Sequence, residues 1–350
     1  MMNKLPFEPI ISAYGLKFNN FSIKHFGNGH INNTFLISER IQPCYILQKI
    51  NRHVFNNPQW IADNWKLAFD LIKNSAPDYN MLKFNTTLNR DDFFIDGKGE
   101  YWRLLPFISE SVCFENVVSV KQAAEAAFTF GKFTALLKEA PISGFHIILP
   151  DFHNLSLRQK QLDSVIKKSF GQRHEMAEPL LRKLIHFRWL THFYDTFAET
   201  LPLRIMHMDA KISNLLFDAK TLEMKYIIDF DTLMPGTILS DLGDLIRSMV
   251  CPAAEDETDH SRIIVRRDIF EVIMNAYFQA LDGILTSGEI KVMRFAGPIL
   301  VYMQAIRFLT DFLTNDLYYK IGYAEHNLDR ATNQIILLEK LLEEPMCSMP

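Results

Sequence analysis

Residues 204–231 read Arg204-Ile-Met-His207-Met-Asp209-Ala-Lys211-Ile-Ser-Asn214-Leu-Leu-Phe-Asp218 and then, after a turn, Tyr226-Ile-Ile-Asp229-Phe-Asp231. A His-x-Asp-x4-Asn loop is thus followed by a short apolar hairpin, and an acidic residue ends its β-branched run. A lone Asp or Asn in a loop is usually a turn former or a helix cap. Because turns alone do not explain this combination of spacing, strand and terminal acid, the pattern indicates a functional site.

The chemistry that this spacing suits is phosphoryl transfer, which depends on positioning and charge neutralisation more than on covalent catalysis. We expect Asp209 to orient an acceptor hydroxyl and to take its proton. Asn214 and Asp229 supply hard oxygen ligands of the kind that Mg²⁺ prefers. Lys211 is placed to offset charge on the transferring group, and His207 to brace the loop by hydrogen bonds. The stretch therefore predicts a small-molecule kinase that uses ATP and Mg²⁺.

Composition excludes several other classes of protein. The chain has 350 residues, 48% of them apolar and 22% charged, which is typical of a soluble globular protein. Its formal net charge of −4, without a long basic run, argues against a nucleic-acid or anionic membrane surface. The N-terminus shows no signal-peptide pattern, and the four cysteines are far apart. We therefore expect a cytoplasmic monomer or weak dimer that binds a small molecule, with no nucleic-acid or membrane partner.

Strand-like runs dominate the first third of the chain and helical patterns dominate the rest. This predicts an α+β fold with two lobes: residues 1–108 with an N-terminal helix, an antiparallel sheet and one helix, and a helical lobe at residues 109–350 that carries the catalytic loop and substrate site. Leu104–Ser109 is the expected hinge, where backbone groups near Pro106 would pair with adenine.

Two glycines, Gly27 and Gly29, lie between strand-like runs. They can let backbone N–H groups approach a phosphate, or they can simply form a hairpin turn with positive φ. In isolation the turn is the commoner explanation.

The run Tyr45–Ile50 is the strand that in kinases places a cation on the nucleotide phosphates. Because side chains alternate along a strand, only one of Gln48 and Lys49 can face the nucleotide, and the sequence leaves the choice open. Asp63, on the helix that Pro58 opens, is a candidate acidic partner for that cation.

Other patterns predict secondary structure only. Leu82–Asn85 is strand-like, residues 178–201 and 287–313 are helical, and Pro298 should kink or split the second of these helices. Asp241 has the position of a cap on the helix that follows it.

His207-x-Asp209-x4-Asn214 followed by Ile228-Asp229-Phe-Asp231 resembles the aminoglycoside phosphotransferase and choline kinase superfamily, which has a protein-kinase-like fold. In that group an acidic residue replaces the glycine of the corresponding protein-kinase motif, as Asp231 does here. The resemblance implies ATP-dependent phosphorylation of a small hydroxylated molecule.

Further blocks resemble the N-acetylhexosamine 1-kinase branch of that superfamily. They include Gly27-Asn-Gly-His-Ile-Asn-Asn-Thr34, Trp102-Arg-Leu-Leu-Pro-Phe107, Phe152-His153, Asp229-Phe-Asp-Thr-Leu-Met-Pro-Gly236 and Arg307-Phe-Leu-Thr-Asp-Phe312. The branch phosphorylates the anomeric hydroxyl of an N-acetylhexosamine. The resemblance implies that the sugar contacts Asp209, His30, Thr232, Arg307 and Tyr318, with Tyr319 as the alternative to its neighbour. Ala210 and Ser213 depart from the Thr and Asn expected there.

Overall fold

An antiparallel sheet is the centre of the first of two compact units in the computed structural model, which describes residues 7–27 and 31–345. Its strands are β1 (Phe21–His25), β2 (Asn33–Glu39), β3 (Gln42–Lys49), β4 (Phe94–Ile95) and β5 (Tyr101–Pro106), in the order β1-β2-β3-β5-β4. Helices α1 (Phe7–Ala13) and α2 (Pro58–Ser75) belong to the same unit.

Alternation along the strands gives this sheet two different faces. The apolar side chains of one face pack with α1 in a core that includes Ile10, Ile11, Phe35, Leu47 and Trp102. Period-two alternation then directs Gln48 to the opposite face, where its register partner on β5 is Arg103. The two faces thus separate an apolar core from a polar network.

The first unit is discontinuous in sequence. Within the described residues it contains the chain up to Val112, four residues beyond the expected boundary at 108, together with Ser143–Leu149 and Leu216–Met234. The last of these segments carries most of a three-stranded sheet formed by β6 (Ser111–Val112), β8 (Leu215–Asp218) and β9 (Met224–Ile227).

The remaining described residues form the second unit, which is mainly helical. Its helices are α3 (Val120–Leu136), α4 (Leu155–Ile166), α5 (Gln172–His186), α6 (Trp189–Ala198), α7 (Ile238–Met249), α8 (Arg267–Ala280), α9 (Ser287–Val292), α10 (Ala296–Leu313) and α11 (His326–Glu343). Strand β7 (Arg204–Met206) pairs with β10 (Met234–Gly236), whose last two residues belong to this unit.

Helix α10 lies at the centre of the second unit. The stretch Ser287–Leu313 is long and apolar enough to cross a membrane by length and composition, but 83% of its apolar window is buried inside the protein. Such burial is that of a core helix, which needs apolar side chains on every face.

Three sequence expectations about secondary structure need correction. Leu82–Asn85 is no regular strand, because Asn85 makes only an isolated bridge to Leu104. Residues 178–201 form two helices, α5 and α6, and not one. The segment 287–313 is interrupted, but by a 3-10 turn at Met293–Phe295 and not at Pro298, which lies in the first turn of α10.

Candidate active site

Three of the predicted catalytic-loop residues meet at the carboxylate of Asp209 in the second unit. Its Oδ2 lies 3.0 Å from Nζ of Lys211 and accepts a 2.8 Å hydrogen bond from Nδ2 of Asn214. The same Nδ2 donates to the backbone oxygen of Asp209, also at 2.8 Å. The His-x-Asp-x4-Asn spacing thus closes a compact loop around one partly exposed carboxylate.

The charge state of Asp209 follows from these neighbours. Burial acts to raise the pKa of its carboxyl group, but the ammonium of Lys211 and the hydrogen bond from Asn214 outweigh burial and lower the pKa. Asp209 is therefore ionised at neutral pH and can accept a hydrogen bond from a hydroxyl group.

Asn214 has the chemistry of a hard metal ligand. Both hydrogen bonds of its side chain to described residues are donated by Nδ2, so Oδ1 is left as the acceptor atom of the amide. An amide oxygen in this setting suits Mg²⁺, as the sequence predicts. Among the described residues no three His, Cys, Asp or Glu side chains cluster as a metal site.

The backbone of the loop is strained and is held by a distant carboxylate. Met208 has φ of +67°, a left-handed conformation that costs a non-glycine residue about 1–2 kcal/mol. Asp241 accepts hydrogen bonds from the N–H groups of His207, at 2.9 Å, and Met208, at 2.7 Å. It lies in the first turn of α7, which begins at Ile238, so the expectation that Asp241 caps a helix starting after it is wrong.

His207 is fully buried, with its ring edge-on to that of Phe130 at 5.1 Å. Its backbone N–H is one of the two donors to Asp241. This placement fits the expected bracing role.

The predicted metal ligand Asp229 lies in the first unit. It is exposed and has φ of +63°, between the buried residues Ile227 and Phe230. Two residues later, the buried Asp231 forms an ion pair with Arg103 (Nη1 to Oδ1, 2.5 Å). The turn that carries Asp229 is therefore tethered to β5.

The two nucleotide-site candidates on β3, Gln48 and Lys49, have different partners. Lys49 forms a 2.8 Å ion pair with Glu100. Oε1 of Gln48 accepts hydrogen bonds from Nε and Nη2 of Arg103, at 2.9 and 2.7 Å. Gln48, and not Lys49, is therefore in the network that contains Asp231.

Asp63 is not brought to Lys49. Its carboxylate lies 3.3 Å from Nε2 of His146 and accepts a hydrogen bond from Gln59. The neighbouring Asn64 is fully buried and bonds the backbone of His146 and Leu233, so the helix position next to Asp63 is structural.

The remaining nucleotide and sugar candidates have simpler placements. Gly27 has φ of +75° and no atom within 4 Å of an added Cβ, so its backbone conformation is what requires glycine. Pro106 ends β5, opposite Tyr45. Thr232 is buried directly after Asp231. Gly29 and His30 lie outside the described residues.

Arg307 and the two neighbouring tyrosines do come together in the second unit. The guanidinium carbon of Arg307 lies 5.9 Å from the ring centre of Tyr318, 5.6 Å from that of Tyr319 and 5.5 Å from that of Phe152. Both tyrosines therefore flank the arginine. We call these four residues the arginine cage.

A second set of polar side chains surrounds His153, which the sequence marks only as part of the Phe152-His153 block. Its ring is buried, with Nε2 3.9 Å from Oδ2 of Asp244, and burial with nearby arginines lowers its pKa to about 3. Asp244 in turn accepts a 3.1 Å hydrogen bond from Arg247. His153 is therefore neutral.

Sequence reasoning missed Arg103, Asp241 and Asp244 as functional candidates. Arg103 lies in an apolar run, and Asp241 and Asp244 alternate with apolar residues of one segment; charged residues in such positions are rarely buried without a partner. That signal marks them as paired core residues but does not identify the partners.

Comparison with known proteins gives the family. The model of the phosphotransferase enzyme family matches residues 91–267, slightly more than half of the chain. This range includes the whole Asp209 loop, Asp229 and Asp241.

Solved structures show the same fold at low sequence identity. An aminoglycoside phosphotransferase from Alicyclobacillus acidocaldarius subsp. acidocaldarius has a TM-score of 0.65 at 11% identity, covering 97% of this chain and 94% of that one. The AMP-bound spectinomycin phosphotransferase scores 0.64 at 12% identity, with 97% and 98% covered. A microcompartment-associated aminopropanol kinase scores 0.61 at 15% identity, with 96% of each chain covered. These likenesses confirm the expected two-lobed, protein-kinase-like α+β class, and together with the family match they show that this chain belongs to the phosphotransferase enzyme family.

Proposed function

We propose that this protein is an ATP-dependent kinase that phosphorylates the anomeric hydroxyl of an N-acetylhexosamine, giving a sugar 1-phosphate. The observation that carries the kinase proposal is the ionised Asp209 carboxylate, held by Lys211 and Asn214 in a loop of family spacing. Similar structures include phosphotransferases and kinases of spectinomycin, aminopropanol and amicoumacin, the last bound to AMP-PNP and Ca²⁺.

The proposed reaction transfers the γ-phosphoryl group of ATP to the anomeric oxygen. A bond forms between that oxygen and phosphorus while the bridging bond to ADP breaks, and Asp209 accepts the proton of the hydroxyl group. Lys211, 3.0 Å from the carboxylate, holds Asp209 in place, and its ammonium group would offset charge on the phosphoryl group.

The proposed metal ligands are Oδ1 of Asn214 and the exposed carboxylate of Asp229. Mg²⁺, when bound, neutralises the charge that develops on the phosphate oxygens. The chain contributes hard oxygen atoms and a fixed amide, because Nδ2 of Asn214 is engaged by Asp209.

Charge around the arginine cage supports an uncharged acceptor over a polycationic aminoglycoside. Among the described side chains no Asp or Glu pairs with Arg307, whose one side-chain hydrogen bond goes to Oε1 of Gln304 at 3.2 Å. Burial lowers the pKa of the Arg158 guanidinium, and the positive charge of Arg307 lowers it further. Two guanidinium groups whose charges act on each other repel a polycation, and they can donate hydrogen bonds to the acetamido and hydroxyl oxygens of a sugar. The choice of N-acetylhexosamine itself rests on the sequence resemblance.

An acceptor panel tests the proposal. Purified protein with ATP and Mg²⁺ is incubated separately with N-acetylglucosamine, N-acetylgalactosamine, glucose, aminopropanol and an aminoglycoside, and the products are identified by ³¹P NMR. We expect an acid-labile 1-phosphate from one of the acetamido sugars and none with Asp209→Asn. A product phosphorylated only on a primary hydroxyl would contradict the anomeric assignment. Turnover of only aminopropanol or the aminoglycoside would contradict it as well.

A further inference from the structure

The two tyrosines of the arginine cage lie in a short loop with an unusual backbone. After α10 ends at Leu313, Asn315 and Asp316 have φ of +65° and +57°. Asn and Asp adopt this conformation more readily than other non-glycine residues, but as single residues, so two in succession are unusual. The contacts that surround this loop must therefore hold it.

One buried carboxylate makes most of those contacts. Oδ1 of Asp311 accepts the backbone N–H of Tyr318 at 2.8 Å, and Oδ2 accepts the backbone N–H of Tyr319 at 2.9 Å. Oδ2 also accepts Nδ2 of Asn327 at 3.0 Å. Asp311 is only 5% exposed, so these three N–H donors take the place of water.

The position of this carboxylate in its helix is unfavourable. Asp311 lies in the last turn of α10, where the helix dipole disfavours a negative charge. All three described donors to its side chain belong to uncharged residues, and none of the described cations forms an ion pair with it. A role in helix capping therefore does not explain Asp311, whereas fixing the amides of both tyrosines does.

Asn327, at the start of α11, joins this carboxylate to a second one. It is fully buried, and its Nδ2 donates to Asp316 at 2.8 Å as well as to Asp311. Arg173 binds the other oxygen of Asp316 at 2.6 Å. The strained residue Asp316 is thus fixed from two helices, and the loop has one defined path.

The result of this arrangement is an exposed ring on a fixed backbone. The Tyr318 side chain is 65% exposed although its N–H is anchored to a buried residue. Its ring contacts that of Tyr319 edge-on at 4.8 Å, and both rings flank Arg307. Anchoring that leaves a large aromatic surface open is what a preorganised ligand contact requires.

We propose that Asp311 and Asn327 form a clamp that positions the arginine cage for the acceptor and so sets the affinity for it. The proposal deepens the proposed function and rests on the cage being the acceptor site. Both are positioning residues, since they act through the backbone of Tyr318 and Tyr319. The ligand contacted by the cage is an uncharged polyol with hydrogen-bond-accepting oxygens.

Two variants of the clamp test this. Asp311→Asn keeps the shape but turns an N–H group toward a backbone N–H, and Asn327→Ala removes one donor and leaves the two tyrosine contacts. We expect KM for the acceptor to rise about tenfold for Asp311→Asn and about threefold for Asn327→Ala, because small misplacements of a binding group are costly. We expect kcat and KM for ATP to stay within about twofold.

A matched control and a second readout separate positioning from general destabilisation. Asp92 in the first unit is also buried and binds Lys66 and Gln59, so Asp92→Asn should lower thermal stability without changing KM for the acceptor. Hydrogen exchange of a peptide covering residues 314–323 should become faster in Asp311→Asn, since one of the two tyrosine amides loses its acceptor.

The outcomes are distinct. Faster exchange with an unchanged KM for the acceptor would overturn the clamp. A fall in kcat, in acceptor affinity and in ATP affinity that parallels the fall in thermal stability would also overturn it. If the wild-type protein phosphorylates a different acceptor, the sugar assignment fails alone. The same KM comparison with that acceptor then decides for or against the clamp.

Discussion

The carboxylate of Asp241 accepts the backbone N–H of Met208 at 2.7 Å, and Met208 is the residue directly before the proposed base, Asp209. Met208 is left-handed, with φ of +67°, so the loop depends on this contact and on the second one to His207. The geometry of Asp209 is therefore determined partly by a residue 32 positions later in the chain, on α7.

Replacing Asp241 by Asn should reduce kcat about 10- to 100-fold while acceptor and ATP KM change little. The amide retains one acceptor atom but places its N–H₂ group against a second backbone donor, so a buried N–H loses its partner. Steady-state kinetics measure this, with Ser240→Ala in the same buried helical turn as the control. A kcat within twofold of wild type would show that the loop keeps its conformation without Asp241.

Asp244 makes stability depend on pH. Burial raises the pKa of its carboxyl group to about 6, above the value of 3.8 for an exposed group, although Arg247 opposes this. Between these two values the folded state holds a proton that the unfolded state has released, so the contribution of Asp244 to stability is fully present below about pH 4 and is lost as pH rises through 6.

The expected loss from this group is on the order of 3 kcal/mol, by the conversion of pKa shifts into free energy. Urea unfolding of the wild type and of Asp244→Asn at several pH values between 4 and 7 measures it. The variant should show a flatter decrease of unfolding free energy with pH. Parallel curves for the two proteins would assign the pH dependence to other groups.

Local spacing predicted the loop, whereas long-range contacts determine how it is held. The meeting of Asp209, Lys211 and Asn214 follows from a motif within six residues, and sequence alone found it. Alternation along β3 correctly separates Gln48 from Lys49, but which face is polar depends on Arg103, 55 residues away. No local pattern encodes that distance.

The same limit applies to the missed residues. In the sequence Asp311 is only one member of the Arg307-Phe-Leu-Thr-Asp-Phe312 block, and the fold shows that its carboxylate oxygens accept hydrogen bonds from the amides of Tyr318 and Tyr319. The discontinuous first unit is a further case, since the segment Leu216–Met234 belongs to the sheet-rich unit although more than 100 residues separate it from Val112.

The ion pair between Arg103 and Asp231 should be costly to break. Both side chains are almost fully buried, at 2% and 4% exposure, so Arg103→Met leaves an uncompensated carboxylate. We expect a loss of about 3–5 kcal/mol in unfolding free energy, most of it regained in the double variant Arg103→Met/Asp231→Leu, where both charges are absent. A urea double-mutant cycle measures the coupling.

The functional consequence of that pair concerns the metal. The double variant should still fold. Because Asp231 lies two residues after Asp229, however, the variant should need about tenfold more Mg²⁺ for half-maximal activity, which is the typical effect of losing an outer contact to a metal ligand. Lys49→Met, which breaks the more exposed pair with Glu100, is the control and should leave stability within about 1 kcal/mol. An unchanged Mg²⁺ requirement in the double variant would show that Asp231 does not position Asp229.

Two glycines allow α7 and α10 to approach each other closely. A Cβ added at Gly297 would lie 2.4 Å from Cγ2 of Ile246, and one added at Gly243 would lie 2.7 Å from the backbone oxygen of Ala296. Either contact forces the helices apart, so Gly297→Ala and Gly243→Ala should each lower the unfolding free energy by about 1–3 kcal/mol.

Gly288→Ala, on helix α9, is the matched control. Its added Cβ would have one neighbour within 4 Å, Oγ1 of Thr286 at 3.8 Å. Alanine is the better helix former, so this variant should be neutral or gain up to about 1 kcal/mol. Because α7 also carries Asp241, the Gly243→Ala variant should lose kcat together with stability, whereas Gly288→Ala should keep it. Equal stability of all three variants would mean that the two helices can separate without strain, and that Asp241 does not depend on their packing to reach Met208.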